Sequence, residues 1–288
     1  MKNFELFLEL TRLKKPIGFM LLFWPCLWGL TLALQFSNDN YIFLKHCLLF
    51  FCGAVLMRSA GCIVNDILDR KIDAMVDRTK NRPIASRKIS VQKSLIYVFI
   101  LCLCAFIILI QFNQNTILLG LASMPFAFSY PLMKRFTYWP QFFLGLTFNY
   151  GLLMAWVSLT NEFNYYPLIL YFGAIFWTLG YDTIYGFQDI KDDEIIGVKS
   201  TSIKFKKNPK LFLSICYLIF YLSIFLLGVL VSYSFYYFIF SALIFFHLIV
   251  FQIKSLDTSN PQMCLNKFKS NNYLGFLVFI NILIGGNF

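Results

Sequence analysis

The sequence predicts an all-α, polytopic membrane protein with a single domain. Of its 288 residues, 59% are hydrophobic and only 14% are charged, which is more apolar surface than a water-soluble domain of this size can bury. The apolar residues also form runs long enough to cross the hydrocarbon core of a bilayer as helices. No Pro- or Ser-rich linker interrupts the chain, so residues 1–288 are interpreted as one membrane-embedded domain.

Nine apolar runs have roughly the length of a membrane-spanning helix. They fall near residues 18–36, 42–64, 95–112, 115–133, 140–159, 165–184, 211–230, 233–253 and 273–287. The ninth run is the shortest of them. The segment before the first run, "MKNFELFLELTRLKKPIGF", shows no small-residue cleavage site after a short apolar core, so it is interpreted as an amphipathic lead-in rather than a signal peptide.

The basic residues predict how the helices are oriented. They precede the first run and fill the connections between runs two and three, four and five, six and seven, and eight and nine, whereas the other connections are nearly bare. Because Lys and Arg accumulate on the cytoplasmic side of membrane proteins, the N-terminus and these loops are predicted to be cytoplasmic. With nine spans, the C-terminus is then on the opposite side. This topology, together with anionic ligands, explains the net charge of +11 better than a nucleic-acid partner does.

A first acidic motif, "NDILDRKID", follows the second apolar run. On a helix, Asn65, Asp69 and Asp73 recur every four residues and share one face, and Asp66 lies close to that face. Like charges at this spacing destabilise a helix, and the cost rises at a membrane boundary because desolvation adds to it. A bound cation would remove both costs.

A second acidic motif, within "YDTIYGFQDIKDDE", lies on the same predicted side. Asp189 and Asp193 repeat the four-residue spacing, with Asp182 and Tyr185 at earlier turns. Carboxylates without histidine neighbours suit a hard cation, and Mg²⁺ usually completes its coordination with phosphate oxygens. The two motifs are therefore predicted to face each other across Mg²⁺ and a phosphate group. Basic residues that would neutralise the remaining charge are Arg78, Arg82, Lys134 and Lys199.

Other polar residues are interpreted differently. The eight cysteines form no CxxC pair and the two histidines are far apart, which does not favour a Cys- or His-based metal site. Solvated loop positions are the interpretation for Asp77, Asp192 and Glu194. A hydrogen bond within the helix core is the interpretation for Asn149.

Arg58 lies inside the second apolar run, where a cation is costly. It precedes Asn65 by seven residues, which is two helical turns on the same face. Arg58 is therefore predicted to point into the cavity that the first acidic motif faces.

Two other classes of protein share some of these features. A secondary transporter would also carry intramembrane charges, but here the carboxylates crowd one side of the membrane. A CDP-alcohol phosphotransferase also uses Asp and Mg²⁺, but its motif needs a DG…AR lead-in, which "SAGCIVNDILD" lacks.

Four blocks of the sequence resemble the UbiA family of intramembrane aromatic prenyltransferases. They are "RLKKPIGFMLLFWPCLWGL", "NDILDRKIDAMVDRTKNRPI", "YPLMKRFTYWPQ" and "YDTIYGFQDIKDDEIIGVKST". They occur in the family's order between residues 12 and 201, about two thirds of the chain. The first acidic motif alone is shared by the whole superfamily, whereas the combination of four blocks is more specific.

The resemblance implies nine transmembrane helices around a central cavity with a cytoplasmic cap formed by the two Asp-bearing loops. It implies Mg²⁺-dependent transfer of a polyprenyl group from polyprenyl diphosphate to the ring carbon ortho to the hydroxyl of 4-hydroxybenzoate, in ubiquinone biosynthesis. A family member with another aromatic acceptor remains the alternative. The expected location is the bacterial inner membrane, or the mitochondrial inner membrane in a eukaryote.

The resemblance also implies roles for individual residues. Metal and catalytic roles fall on Asp69, Asp73, Asp189 and Asp193, with Asn65 as a further metal ligand. Diphosphate binding falls on Arg78, Arg82, Lys134 and Arg135, and binding of the aromatic acceptor falls on Arg58. Arg12 matches another family position without an implied role.

Overall fold

The computed structural model describes residues 2–37 and 39–286, and within them it contains helices and loops but no β-strand. In chain order the helices are α1 Lys2–Thr11, α2 Ile17–Ser37, α3 Asn40–Asp73, α4 Val91–Leu109, α5 Gln114–Ala122, α6 Met124–Ser129, a 3₁₀ turn Tyr130–Leu132, α7 Met133–Phe136, α8 Pro140–Thr160, α9 Tyr165–Gly186, α10 Ile190–Ile196, α11 Thr201–Lys204, α12 Pro209–Leu230, α13 Phe235–Phe246, a π-helix His247–Lys254 and α14 Pro261–Gly285.

In the described part of the chain, eight helical segments are long and apolar enough to cross a membrane. They coincide with the first eight predicted runs, and the fourth of them is the broken segment Gln114–Phe136. The ninth predicted run falls in α14, except for residue 287, which lies outside the described residues. The first half of α14, "PQMCLNKFKSNN", is polar, so a ninth crossing stays a prediction.

Helix α2 lies at the centre of the bundle. It is apolar around its whole circumference, and every residue from Leu21 to Leu34 except Leu22 is buried. Its closest neighbour is α8, because Gly29 lets the two backbones meet. A Cβ atom at Gly29 would lie 2.3 Å from the Leu152 carbonyl oxygen. Small residues permit such close packing between membrane helices, where dispersion contacts hold the helices together.

A cluster of aromatic rings joins α2, α9 and α12, and hydrogen bonds from two of the rings add α14. Trp28 and Trp177 have ring centroids 5.0 Å apart, and Phe220 lies 6.0 Å and 5.8 Å from them. Each indole N–H has a partner on α14: that of Trp28 donates to the Gly275 carbonyl at 2.9 Å, and that of Trp177 donates to Asn271 Oδ1 at 2.8 Å. Helices α2, α9, α12 and α14 are thereby held in a defined rotation about their axes.

Helix α3 is longer than a bilayer is thick. Its 34 residues extend roughly 50 Å, whereas the hydrocarbon core measures about 30 Å. The last turns of α3, which carry the first acidic motif, therefore extend past the apolar part of the helix, in agreement with the predicted helical motif. Helix α1 packs against this region through Leu10, which lies in one buried cluster with Ile63 and with Ile84 of the following loop.

The second acidic motif follows a break in the helix. Helix α9 ends at Gly186, and Asp189 occupies the N-cap position of the short helix α10 without a capping hydrogen bond from its side chain. The Asp193 N–H donates to the Asp189 carbonyl at 2.9 Å, so the two carboxylates occupy successive turns as the spacing predicts. Helix α11 then returns against α9 through a 2.6 Å hydrogen bond between Thr183 and Thr201.

Candidate active site

A cavity of about 340 Å³ lies between the ends of α2, α3, α8 and α9 and the two loops that carry the acidic motifs. Nine of the ten residues predicted for the site line this cavity, which we call the polar cavity. The nine are Arg58, Asn65, Asp69, Asp73, Arg78, Arg82, Lys134, Asp189 and Asp193. The structure thus brings together two motifs that are separated by more than a hundred residues.

The carboxylates of the first acidic motif are buried and paired with cations. Asp69 is 1% exposed, and its Oδ2 accepts a hydrogen bond from Lys134 Nζ. Asp73 accepts from Arg82 Nη1 at 3.0 and 2.9 Å through its two oxygens. The other oxygen of Asp69, Oδ1, is buried and has no hydrogen-bond partner among the described residues. One strong acceptor in this motif is therefore left available to a ligand.

The second acidic motif contains one paired and one free carboxylate. Asp189 accepts from Arg78 Nε at 2.7 Å and 2.9 Å through its two oxygens. No hydrogen bond reaches the Asp193 carboxyl group within the described ranges. Burial, and after it the negative charge of Asp189, raises the pKa of Asp193 to about 6. A nearby cation would favour the ionised form of this group.

The donor set fits a hard divalent cation. Within residues 2–37 and 39–286, no three His, Cys, Asp or Glu side chains converge as in a preformed metal cluster. Asp69 Oδ1, which accepts no hydrogen bond, and the free Asp193 carboxyl group nevertheless offer oxygen donors from both motifs. Mg²⁺ takes one or two carboxylates from the protein and completes its shell with water and phosphate oxygens, which is what this arrangement allows.

Lys134 is positioned between the two motifs by its backbone. Its carbonyl accepts a hydrogen bond from the Lys199 N–H at 3.0 Å, and Lys199 Nζ donates to the Phe136 carbonyl at 3.3 Å. The short helix α7 is therefore fixed to the loop that follows α10. This contact places Lys134 beside Asp69 while Lys199 also lines the cavity.

Arg135 is the one predicted site residue that does not line the polar cavity. Its Nη2 donates to the Leu68 carbonyl at 2.8 Å and lies 3.9 Å from Asp69 Oδ1. Arg135 thus contacts the end of α3 from outside the cavity, while its neighbour Lys134 lines it. Direct diphosphate binding by Arg135 stays a prediction that this geometry does not favour.

Arg12 and Asp66 contribute to the site although the sequence did not single out roles for them. Arg12 lies in the turn between α1 and α2 with a left-handed backbone (φ 56°) and lines the polar cavity. Its Nη2 donates to Asp66 Oδ1 at 2.6 Å, and Arg82 Nη1 donates to the same oxygen at 3.2 Å. Asp66 thus holds two arginines from different segments. The only local signal for this was its place inside the first acidic motif.

The end of the polar cavity furthest from the acidic motifs contains Arg58. Its guanidinium lies 5.5 Å from the centroid of the Phe148 ring, and its Nε is buried without a hydrogen-bond partner among the residues described. A Cβ atom on Gly18 would come within 2.8 Å of that Nε, so the glycine leaves space for the guanidinium. Arg58 is therefore in the cavity wall where the helical spacing predicts it.

A second, apolar cavity of about 230 Å³ begins at this end. It shares Arg58, Tyr130 and Phe148 with the polar cavity and extends between α2, α3, α4, α5, α6 and α8. The polar cavity and the apolar cavity therefore adjoin at Arg58.

Comparison with known proteins identifies the family. A profile described as the UbiA prenyltransferase family matches residues 22–282. The chain belongs to this family.

Curated relatives of this UbiA-family chain are similar over nearly all of it. A protein of Homo sapiens named 4-hydroxybenzoate polyprenyltransferase, mitochondrial, is 42% identical over 97% of this chain and 75% of its own length. A 4-hydroxybenzoate octaprenyltransferase of Psychromonas ingrahamii is 39% identical over 98% of this chain and 96% of its own length. The 42% identical relative of Dictyostelium discoideum, also named 4-hydroxybenzoate polyprenyltransferase, is longer, and the chain spans 60% of it.

Solved structures of UbiA homologues share the fold. The homologue from Aeropyrum pernix K1 superposes with a TM-score of 0.77 at 19% identity, over 92% of this chain and 97% of that one. A homologue from Archaeoglobus fulgidus bound to GPP and Mg²⁺ gives a TM-score of 0.67 at 17% identity, over 97% and 98% of the two chains. Membership of this family decides against the two alternatives, a secondary transporter and a CDP-alcohol phosphotransferase.

Proposed function

We propose that this UbiA-family protein transfers a polyprenyl group from polyprenyl diphosphate to the ring carbon ortho to the hydroxyl of 4-hydroxybenzoate, releasing diphosphate, in ubiquinone biosynthesis. The observation that carries the proposal is a polar cavity that shares part of its wall with an apolar cavity. Carboxylates and cations line one end of the polar cavity, Arg58 lies at the other end, and the apolar cavity adjoins it there.

The acidic end suits a diphosphate that is held with metal ions. Mg²⁺ would be held by Asn65, Asp69, Asp73, Asp189 and Asp193. When bound, it supplies electrostatic stabilisation of the negative charge that develops on the leaving diphosphate. Arg78, Arg82 and Lys134 now pair with carboxylates, and the same donors would form charge-assisted hydrogen bonds to diphosphate oxygens.

The other end suits an aromatic acid and an allylic chain. Arg58 would bind the 4-hydroxybenzoate carboxylate, because it is the cation in this wall that has a buried, unpaired N–H. The polyprenyl chain would occupy apolar space toward the bilayer. Once the allylic C–O bond ionises, the electron-rich ring attacks the carbocation, and the apolar walls keep water from capturing it.

The names of the relatives support this substrate pair. Both the human and the Psychromonas ingrahamii proteins are named for 4-hydroxybenzoate and a polyprenyl or octaprenyl group. The Archaeoglobus fulgidus homologue was solved with a prenyl diphosphate and Mg²⁺. The inner membrane of bacteria or mitochondria is the corresponding location.

A direct assay tests the proposal. Membranes containing the protein are incubated with Mg²⁺, radiolabelled 4-hydroxybenzoate and prenyl diphosphates of several chain lengths, with EDTA as the metal control and 1,4-dihydroxy-2-naphthoate as a competing acceptor. We expect 4-hydroxybenzoate to be prenylated at the carbon ortho to its hydroxyl, and we expect this product to form only when Mg²⁺ is present. Labelling of the naphthoate alone would assign the protein to another acceptor within the family.

A further inference from the structure

Asp182 is a carboxylate of the polar cavity that is not among the residues proposed to bind the metal ion, the diphosphate or the acceptor carboxylate. It lies on α9 and lines the same cavity as Arg58 and the acidic motifs. No hydrogen bond or ion pair joins its carboxyl group to any other side chain that the structure describes. An ionisable residue within a membrane helix is costly and usually has a functional partner, so the absence of a protein partner points to a ligand.

The position of Asp182 mirrors that of Arg58. Arg58 precedes Asn65 by seven residues on α3, and Asp182 precedes Asp189 by seven residues on α9 and the turn that follows it. Seven residues of unbroken helix extend about 10 Å, which separates Arg58 from Asn65 on α3. Helix α9 ends at Gly186, so Asp182 lies one helical turn before the break and Asp189 lies beyond it.

Two charges of opposite sign thus face one cavity without forming an ion pair with each other. The proposed acceptor, 4-hydroxybenzoate, is complementary to such a pair, because it carries a carboxylate at one end of the ring and a phenol O–H at the other. This step rests on the proposed function, and Arg58 takes the carboxylate. We infer that Asp182 binds the phenol hydroxyl of the aromatic acceptor and takes its proton during transfer.

Proton transfer to Asp182 accompanies formation of the new bond to the ring. The allylic C–O bond to diphosphate breaks, the ortho carbon of the ring forms the new C–C bond, and the phenol O–H proton passes to Asp182. The C–H proton at the attacked carbon then leaves to the released diphosphate, which returns that electron pair to the ring. Asp182 finally gives its proton back to the phenolate oxygen. Asp182 would raise the electron density of the ring when the carbocation forms.

The test compares Asp182→Asn with Asp77→Asn, since the Asp77 side chain is 91% exposed and pairs only with Lys80 within the described chain. Steady-state kinetics are measured for both substrates and for Mg²⁺. General-base assistance contributes about a hundredfold to ten-thousandfold, so we expect Asp182→Asn to lower kcat at least a hundredfold. The KM for prenyl diphosphate and the Mg²⁺ concentration for half-maximal rate should stay within twofold of the wild type, as in Asp77→Asn. A matching shift in the Mg²⁺ requirement would overturn the inference and make Asp182 a metal ligand.

A competition experiment separates binding of the hydroxyl from packing. Benzoate has the carboxylate but no hydroxyl, so its inhibition constant should be unchanged in Asp182→Asn. The preference for 4-hydroxybenzoate over benzoate should shrink by roughly tenfold or more, because a hydrogen bond to a charged group is lost. Equal weakening of both ligands would show a structural role and overturn the inference.

Two further controls measure the unfolding temperature of the Asp182 variants and ligand binding by an Arg58 variant. Because the carboxylate has no partner in the protein, Asp182→Asn should not lower the unfolding temperature; Asp182→Ser is measured as a second variant, and a fall in both would overturn the inference. Arg58→Gln should weaken benzoate and 4-hydroxybenzoate alike. If the wild type transfers no prenyl group to 4-hydroxybenzoate, the proposed function fails. If Arg58→Gln leaves benzoate binding intact, Arg58 does not bind the acceptor carboxylate, and the inference for Asp182, which depends on that orientation, is overturned.

Discussion

At the scale of single residues, the polar cavity contains ion pairs between carboxylates and cationic side chains. In the proposed function the carboxylates bind metal ions and the cationic side chains bind diphosphate. Arg82 forms an ion pair with Asp73, Lys134 with Asp69, and Arg78 with Asp189. Burying any one of these charges alone would be costly, and the partner offsets that cost when no substrate is bound. A diphosphate and its metal ions bring matching charges of both signs, so the pairs can separate without leaving a charge uncompensated.

The first prediction concerns the two acidic motifs. Asp69→Asn and Asp193→Asn should each reduce turnover about a hundredfold or more, because each removes a charge that stabilises the leaving group through the metal site. Turnover is measured at saturating Mg²⁺ and compared with Asp77→Asn, an exposed residue, which should change the rate less than threefold. Near-normal turnover in either cavity variant would contradict a site formed by both motifs.

The second prediction concerns Arg58. Arg58→Ala should raise the KM for 4-hydroxybenzoate far more than that for prenyl diphosphate, since the acceptor carboxylate loses the cation proposed to bind it. Loss of such a contact costs about 2–4 kcal/mol, roughly a thirtyfold to thousandfold change. An equal rise in the KM for prenyl diphosphate would instead assign Arg58 to the diphosphate.

At the scale of elements, helix lengths and breaks decide where the site lies. Helix α3 continues beyond the apolar run to Asp73, whereas the last turn of α9 stops at Gly186 before the second acidic motif begins. The break lets Asp189 turn toward Arg78 of the first loop. The spacing of the helices themselves depends on small residues such as Gly29, which lets α2 and α8 approach closely.

The third prediction tests that approach. Gly29→Ala should destabilise the protein by about 1–3 kcal/mol, because the added methyl group would meet the Leu152 carbonyl and force two central helices apart. Gly53→Ala is the matched control, since a Cβ there meets nothing within 4 Å; it should be neutral or slightly stabilising through helix propensity. Thermal unfolding in detergent measures both. Equal stability of the two variants would show that α2 and α8 can separate without cost.

At the scale of the whole molecule, all carboxylates of the site and the long basic loops lie at one end of the bundle. The connections at the opposite end, such as Asn161–Asn164, are short and contain no basic residue. This asymmetry predicts that the site opens toward the cytoplasm, where soluble 4-hydroxybenzoate, Mg²⁺ and released diphosphate can exchange.

The fourth prediction tests the orientation. In a background without the eight native cysteines, Lys88→Cys and Lys206→Cys should react with a membrane-impermeant thiol reagent only from the cytoplasmic side, and Glu162→Cys only from the other side. All three positions are exposed in the structure. The reverse labelling pattern would overturn the orientation while leaving the fold unchanged.

The sequence alone determined the features that depend on neighbouring residues. The first eight membrane helices follow from continuous apolar runs, and the shared face of Asn65, Asp69 and Asp73 follows from the helical repeat. The sequence also placed Arg58 on that face, because Arg58 and the first acidic motif lie on one unbroken helix.

Only the tertiary structure decided which side chains meet across helices. The pairing of Arg78 with Asp189, the shared contact of Arg12 and Arg82 with Asp66, and the exclusion of Arg135 from the cavity join segments far apart in the chain. The same holds for Asp182, which shares a cavity with Arg58 only because α3 and α9 pack around it. The physical reason is that local patterns fix helices and their faces, whereas the rotation and separation of packed helices arise from contacts such as Gly29 on Leu152, which no short stretch of sequence contains.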